Sequence, residues 1–205
     1  MTQVQTKSSK SQEILKLIRK LGVLRLKDLA PHGIHPEYIR RLVAEGVLVR
    51  SGRGLYMAAD ADVTENHTLA EASKRVPHGV ICLLTALRFH NIGTQTPHEV
   101  WMAIDRKASK PRVDYPPLRI VRFSGLPQTE GIEKHKIEGV AVRVYSLAKT
   151  VADCFKYRNK IGLEVALEAL RECWRERRCT ADDLTHYAKV CRVWNVMRPY
   201  LEAIV

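Results

Sequence analysis

Residues 34–57, IHPEYIRRLVAEGVLVRSGRGLYM, restrict the fold more than any other stretch of the chain. Pro36 suits a first helical turn, because its fixed φ is already helical and a first-turn N–H has no partner to lose. Ile39, Leu42 and Val43 then recur at i, i+3 and i+4, which puts them on one face of a helix. Glu37, Arg41 and Ala44 fall opposite, with Tyr38 and Arg40 on the flanks. Gly46 is a stop. Val47–Arg50 and Leu55–Met57 are apolar or β-branched runs separated by Ser51-Gly52-Arg53-Gly54, whose two glycines permit the positive φ of a tight hairpin. A short helix followed by such a hairpin is the recognition helix and wing of a winged helix-turn-helix.

The preceding residues supply the rest of that unit. Ser9 and Gln12 have capping-box spacing, Ile14, Leu15, Ile18 and Leu21 follow helical period, and Gly22 suits the stop. A second short helix is predicted over Leu26–Ala30, with Leu26 and Leu29 inward, broken by Pro31 and Gly33. Residues 1–10 are polar and are expected to form a disordered lead.

Charge agrees with a polyanionic partner for this region. The chain carries a formal +12; residues 1–60 hold 11 Lys and Arg against 5 Asp and Glu, half of that excess in under a third of the length. Arginine can bond guanine O6 and N7 in a bidentate fashion, while lysine and tyrosine typically meet phosphate. The candidate DNA-binding residues are therefore Lys27, Tyr38, Arg40, Arg41, Arg50 and Arg53, the last two at the base and tip of the wing. Glu37 on the same face opposes phosphate. A three-helix unit with a hairpin can also serve as a protein-interaction module, so charge, helix order and wing are needed together for the DNA reading.

The pattern breaks at Asp60-Ala61-Asp62, and a second domain is expected over residues 63–205 after a winged-helix domain over 11–60. Thr64–Arg75 reads as a polar helix with Thr64 as N-cap candidate. Val80–Phe89 is strongly apolar and reads as a buried helix, with a strand as the rival. Strands are predicted over Glu99–Ile104, Leu118–Phe123 and Gly139–Tyr145. Helices are predicted from Ser146 to about Tyr157, over Leu163–Arg177, over Thr180–Val190, and over Val193–Ile204 with an interruption near Pro199. The fold class is α+β: a winged helix-turn-helix, then a mixed α+β domain with a helical C-terminal half.

Chemistry-bearing motifs are sparse. No GxGxxG, P-loop lysine motif, GxSxG or HExxH occurs. Asp60 and Asp62 have the spacing of a two-carboxylate metal site, but an upstream Gly-Ser pair is missing and Asp is common in turns. Cys173, Cys179, His186 and Cys191 include zinc-capable atoms, but their spacings do not match paired-ligand knuckles. With Cys82 and Cys154 they read as buried structural thiols of a reduced compartment. Lys149 and Asp153, at i and i+4, can pair along a helix, with Lys156 and Arg158 following; this is a surface-charge helix or a functional patch. Arg106, Lys107, Lys110 and Arg112 form a basic loop. No catalytic residue, metal or cofactor is expected. No apolar run approaches the roughly 18 residues of a membrane span, and a cytoplasmic protein is expected.

GRGLY at 52–56, VICLLTALRFH at 80–90, TPHEVW at 96–101 and SLAKTVADCFKYR at 146–158 together resemble the AbiEi-type antitoxins, from about Ser11 to the C-terminus. The wing is shared by many winged helices; the blocks at 80–101 and 146–158 are the specific ones. The resemblance implies a type IV toxin–antitoxin system linked to abortive infection. It implies repression of the chain's own promoter through inverted repeats, and antagonism of a nucleotidyltransferase-like toxin without a stable complex. A monomer off DNA is the expectation. The DNA role falls on Tyr38, Arg40, Arg41, Arg50 and Arg53, and the antitoxin role is assigned to Lys149, Asp153 and Lys156 in the best-matching segment. A stand-alone winged-helix regulator and a degenerate nucleic-acid-modifying enzyme are the alternatives.

Overall fold

Helix period and chain punctuation account for the N-terminal elements of the computed structural model, which describes residues 2–204, with side chains from residue 10 onward. α1 covers Thr2–Leu21 and buries Ile14 and Ile18. It passes through Ser9, so the helix does not start at the capping box read there. Gly22 ends it at φ +66°. β1 (Leu24–Arg25) leads into a 3-10 helix over Leu26–His32, which includes Pro31 and closes on Gly33 in the left-handed region. Leu29 is inward as expected, but Leu26 is 38% exposed.

α2 (Glu37–Ala44) follows, with Pro36 at its N-cap, and then β2 (Leu48–Gly52) and β3 (Leu55–Ala58). The three strands pair antiparallel in the order β1-β3-β2, with an irregularity in register between Arg50 and Gly52. Gly54 alone of the two wing glycines takes a positive φ, +70°; Gly52 closes β2 at the bulge. Ile14, Ile18, Leu24, Leu29, Ile34, Ile39, Leu42, Leu48 and Ala58 form one buried cluster under these elements.

α3 (His67–Arg75) starts later than Thr64, which does not cap it. Thr64 instead donates from its N–H and its hydroxyl to Glu138 Oε1 at 2.7 and 2.8 Å. The chain divides into two compact units, residues 1–75 with 136–141, and residues 76–135 with 142–205.

The apolar run at 80–89 splits: Val80–Ile81 is β4 and Leu83–Phe89 is α4. Both readings of the run were thus half right, because an apolar segment buried on all sides carries no period to choose between them. β5 (Val100–Asp105), β6 (Leu118–Phe123) and β8 (Val140–Tyr145) lie where the sequence predicts strands. α5 (Leu126–Thr129) is a single turn, and β7 (Ile132–Ile137) was not foreseen. Its sequence, IEKHKI, hides a strand behind four charged or polar residues. The sheet order is β6-β5-β4-β8-β7, with β5 parallel to β6, β4 parallel to β8 and β4 antiparallel to β5.

α6 (Leu147–Ile161), α7 (Leu163–Arg175), α8 (Ala181–Val190) and α9 (Trp194–Glu202) complete the chain; Pro199 lies inside α9. α8 begins with a full capping box between Thr180 and Asp183. Leu83, Leu87, Tyr145, Val151, Phe155, Leu170, Leu184 and Met197 are among the residues that make the core of the second unit. The α+β class, with the winged helix first and helices last, is as the sequence indicates.

Glu138 and Gly139 join β7 to β8 with φ of +48° and +81°, the type I′ combination. A glutamate rarely takes this conformation; here its carboxylate is tied down by Thr64 and by His67 Nδ1 at 2.6 Å. Burial opposes the charge of Glu138, but the hydrogen bonds from His67 and Thr64 outweigh it and hold the carboxyl below its usual range. Asp28 behaves alike: burial raises it, and bonds from Lys74 and the Arg25 N–H bring it down further. An acid depressed in the folded state stabilises above its unfolded pKa, and that contribution fades as pH falls through the folded pKa. Thermal midpoints should therefore drop as pH falls below the ordinary carboxylate range. Glu138→Gln should shallow that acid limb; an unchanged pH slope would show that Glu138 contributes nothing to it.

Candidate nucleic-acid interface

The recognition face is built by what lies under it. Ile39 and Leu42 are 1% and 2% exposed, which fixes the rotation of α2 and leaves Glu37 and Arg40 in solvent, with Tyr38 and Arg41 half-buried beside them. The Arg41 guanidinium sits 5.1 Å from the Tyr38 ring centroid, a cation–π contact that restrains a long side chain before any partner arrives. Its Nε lies 3.9 Å from Glu45. Arg40 pairs with Glu37 at 3.1 Å, both well exposed. Exposed pairs of this kind are worth about 0–1 kcal/mol, so the unfavourable acid on this face is a weak competitor for Arg40.

Arg50 Nε donates to the Gly52 carbonyl at 3.2 Å, which holds the side chain along the wing without neutralising it. Arg53 is exposed in the turn, and its own carbonyl accepts from Arg75 Nη1 at 3.1 Å. The last turn of α3 thus anchors the wing by its backbone, a support that no local motif signalled. Lys27 is exposed in the 3-10 helix, with no carboxylate partner among the described residues. The nearby Asp28 is occupied by Arg25 and Lys74. The N-terminal unit therefore brings all six DNA-contact candidates to the 3-10 helix, the recognition helix and the wing.

The candidates on α6 are placed differently. Lys149 and Asp153 do pair, with Nζ to Oδ2 at 2.6 Å, but they are 0% and 1% exposed. A helix stabilised by surface charges is not what forms: this face of α6 packs against rings from β6 and β8 and the Cys191 thiol at the end of α8, so the pair is interior. Lys149 Nζ also lies 4.2 Å from the Tyr145 ring centroid and 4.9 Å from that of Phe123. Asp153 Oδ1 accepts from Cys191 Sγ at 3.2 Å. Burial pushes the Asp153 carboxyl up, and Lys149 and Cys191 pull it back. Lys156 is exposed on the same helix. The loop cations Arg106, Lys107, Lys110 and Arg112 are exposed too.

All five cysteines are buried and unbridged. Asp60 and Asp62 are exposed, with Asp60 3.4 Å from Arg19. Among the described residues no group of three or more His, Cys, Asp or Glu side chains is gathered as a metal site would need, and no helix is long and apolar enough to cross a membrane.

A buried-faced helix with outward arginines, set beside a supported hairpin, defines a winged helix-turn-helix fold in a chain that also carries an α+β unit. Residues 12–59 match the model of the family described as transcriptional regulator, AbiEi antitoxin. No curated protein sequence matches the chain. Among solved structures, the crystal structure of the RV2827C protein from Mycobacterium tuberculosis is similar in fold, with a TM-score of 0.61 at 12% identity, over 97% of this chain and 77% of that one.

Proposed function

We propose that the protein is a DNA-binding antitoxin that represses its own promoter. The observation that carries this reading is the burial of Ile39 and Leu42, which directs Arg40 and Arg41 outward beside the wing. In this reading α2 enters the major groove, with Arg41 reading a base edge and Tyr38 and Arg40 at its flanks. Arg50, Arg53 and Lys27 meet backbone phosphates or the minor groove. The protein is a monomer in the cytoplasm that pairs on an inverted repeat. It counters a nucleotidyltransferase-like toxin of a type IV system without a stable complex. Lys156, exposed on α6, belongs to that second task. The family match at 12–59 supports the regulatory half of this reading.

Fluorescence anisotropy with the chain's own upstream DNA and a random duplex tests it. Arg41→Ala should cost about 1–3 kcal/mol on the operator and much less on random duplex. Equal losses on both would remove the base-reading role. Lys27→Ala should weaken both duplexes alike and lower the salt slope by about 0.9. An unchanged slope would mean that Lys27 touches no phosphate. Operator binding by a chain that fails to rescue cells expressing the neighbouring open reading frame would support a stand-alone regulator instead.

A further inference from the structure

The second unit contains a cavity of about 460 Å³, within the size range of small-ligand sites. It lies among the end of β6, the Ser124–Pro127 turn, α6 and the junction of α8 with α9. Its lining carries four cations, Arg122, Lys156, Lys189 and Arg192. One carboxylate, Asp153, is also in the lining, but its oxygens already accept from Lys149 Nζ and Cys191 Sγ. The positive charge is therefore not cancelled from within.

Nor is it cancelled from outside. Lys156 and Arg192 are exposed and have no ion pair among the described residues. Lys189 lies 5.9 Å from the Trp194 ring centroid. Arg122 donates to the carbonyls of Asp105, Arg106 and Ala108, which positions its guanidinium and leaves its charge intact. Arg192 occupies the left-handed region at φ +59°, just past the end of α8, where glycine is the usual residue.

The rest of the lining is not what a simple phosphate site would need. Leu126 is 61% exposed, a large apolar side chain left uncovered in the wall, and Pro127 and Tyr157 join it. Apolar surface beside uncompensated cations matches a ligand with a flat ring at one end and phosphates at the other.

We propose that this cavity binds a free nucleotide, its phosphates on Lys156, Lys189 and Arg192 and its base against Leu126, Pro127 and Tyr157. The site lies outside the winged helix and does not depend on the DNA reading. It would give the second unit a ligand whose concentration the protein can sense.

The test is calorimetric titration of the full-length protein at low salt with each of the four ribonucleoside triphosphates, with inorganic triphosphate and the nucleosides as comparison probes. At least one nucleotide should bind about tenfold more tightly than inorganic triphosphate. Lys156→Ala and Arg192→Ala should each weaken it by about tenfold. Leu126→Ala should weaken the nucleotide and leave inorganic triphosphate unchanged. All three replaced side chains are exposed, and circular dichroism melts of the variants should match the parent. Four results would each overturn the proposal: no binding by any nucleotide, equal binding of inorganic triphosphate, undiminished binding by the cation variants, or saturation by a single-stranded oligonucleotide alone.

Discussion

Gly22→Ala should destabilise the N-terminal unit by about 3 kcal/mol or more, measured by denaturant unfolding. Two costs combine. Gly22 has φ +66°, where an L-residue's Cβ crowds its own backbone. A Cβ at this position would also lie 1.3 Å from the Glu138 carbonyl oxygen, which no rotamer change can relieve. The approach is mutual, since a Cβ on Gly139 would lie 2.8 Å from the Gly22 nitrogen. The 138–139 turn would have to withdraw, and with it the bonds of Glu138 to Thr64 and His67. Gly46 supplies the comparison. Its φ is +70°, but nothing lies within 4 Å of its would-be Cβ. Gly46→Ala should therefore show the conformational cost alone, about 1 kcal/mol. If the two substitutions cost the same, the close backbone approach at Gly22 is not a feature of the folded protein.

Asp153→Ala should lower the stability of the second unit by about 3–5 kcal/mol, because it leaves the Lys149 ammonium buried with aromatic rings as its remaining neighbours. The cation–π contacts to Tyr145 and Phe123 cushion that loss without replacing the hydrogen-bonded carboxylate. The Cys191 thiol loses its acceptor at the same time. Replacing both partners, Lys149→Met with Asp153→Leu, should recover most of the loss, since two well-packed apolar groups need no desolvation of charge. A single variant as stable as the parent would mean that the pair is not buried in solution. A double variant as destabilised as Asp153→Ala would show that an unpaired buried charge is not the source of the loss.

The recognition helix was legible because its signal is local. Three apolar residues at helical spacing beside a proline and ahead of a glycine admit few other structures, and the wing glycines sit within four residues of each other. β6 was legible from alternation, β5 and β8 from short apolar and β-branched runs, and the four C-terminal helices from period and caps. β4 and β7 were not. Val80–Ile81 is too short to show a period inside an apolar run. Ile132–Ile137 presents charges on both faces of its pleat, which is tolerable for a strand at the edge of its sheet.

On α6, i,i+4 spacing correctly paired Lys149 with Asp153, yet it carried no information about depth. Leu147, Val151, Cys154 and Phe155 showed one apolar face; that the polar face is covered as well depends on Phe123 of β6, Tyr145 of β8 and Cys191 at the end of α8 meeting the same helix. The cationic cavity is invisible for the same reason, since Arg122 comes from β6, Lys156 from α6, and Lys189 and Arg192 from the end of α8.

The identity of most elements, the outward arginines of α2 and the hairpin beside them were determined by the amino-acid order alone, because backbone geometry converts near-neighbour spacing directly into a face. Which polar side chains would lie inside, which turn would meet Gly22 and which cations would share a cavity were decided by tertiary packing. Those outcomes depend on residues far apart in sequence, and the covering of a surface leaves no trace in the period of the element that is covered.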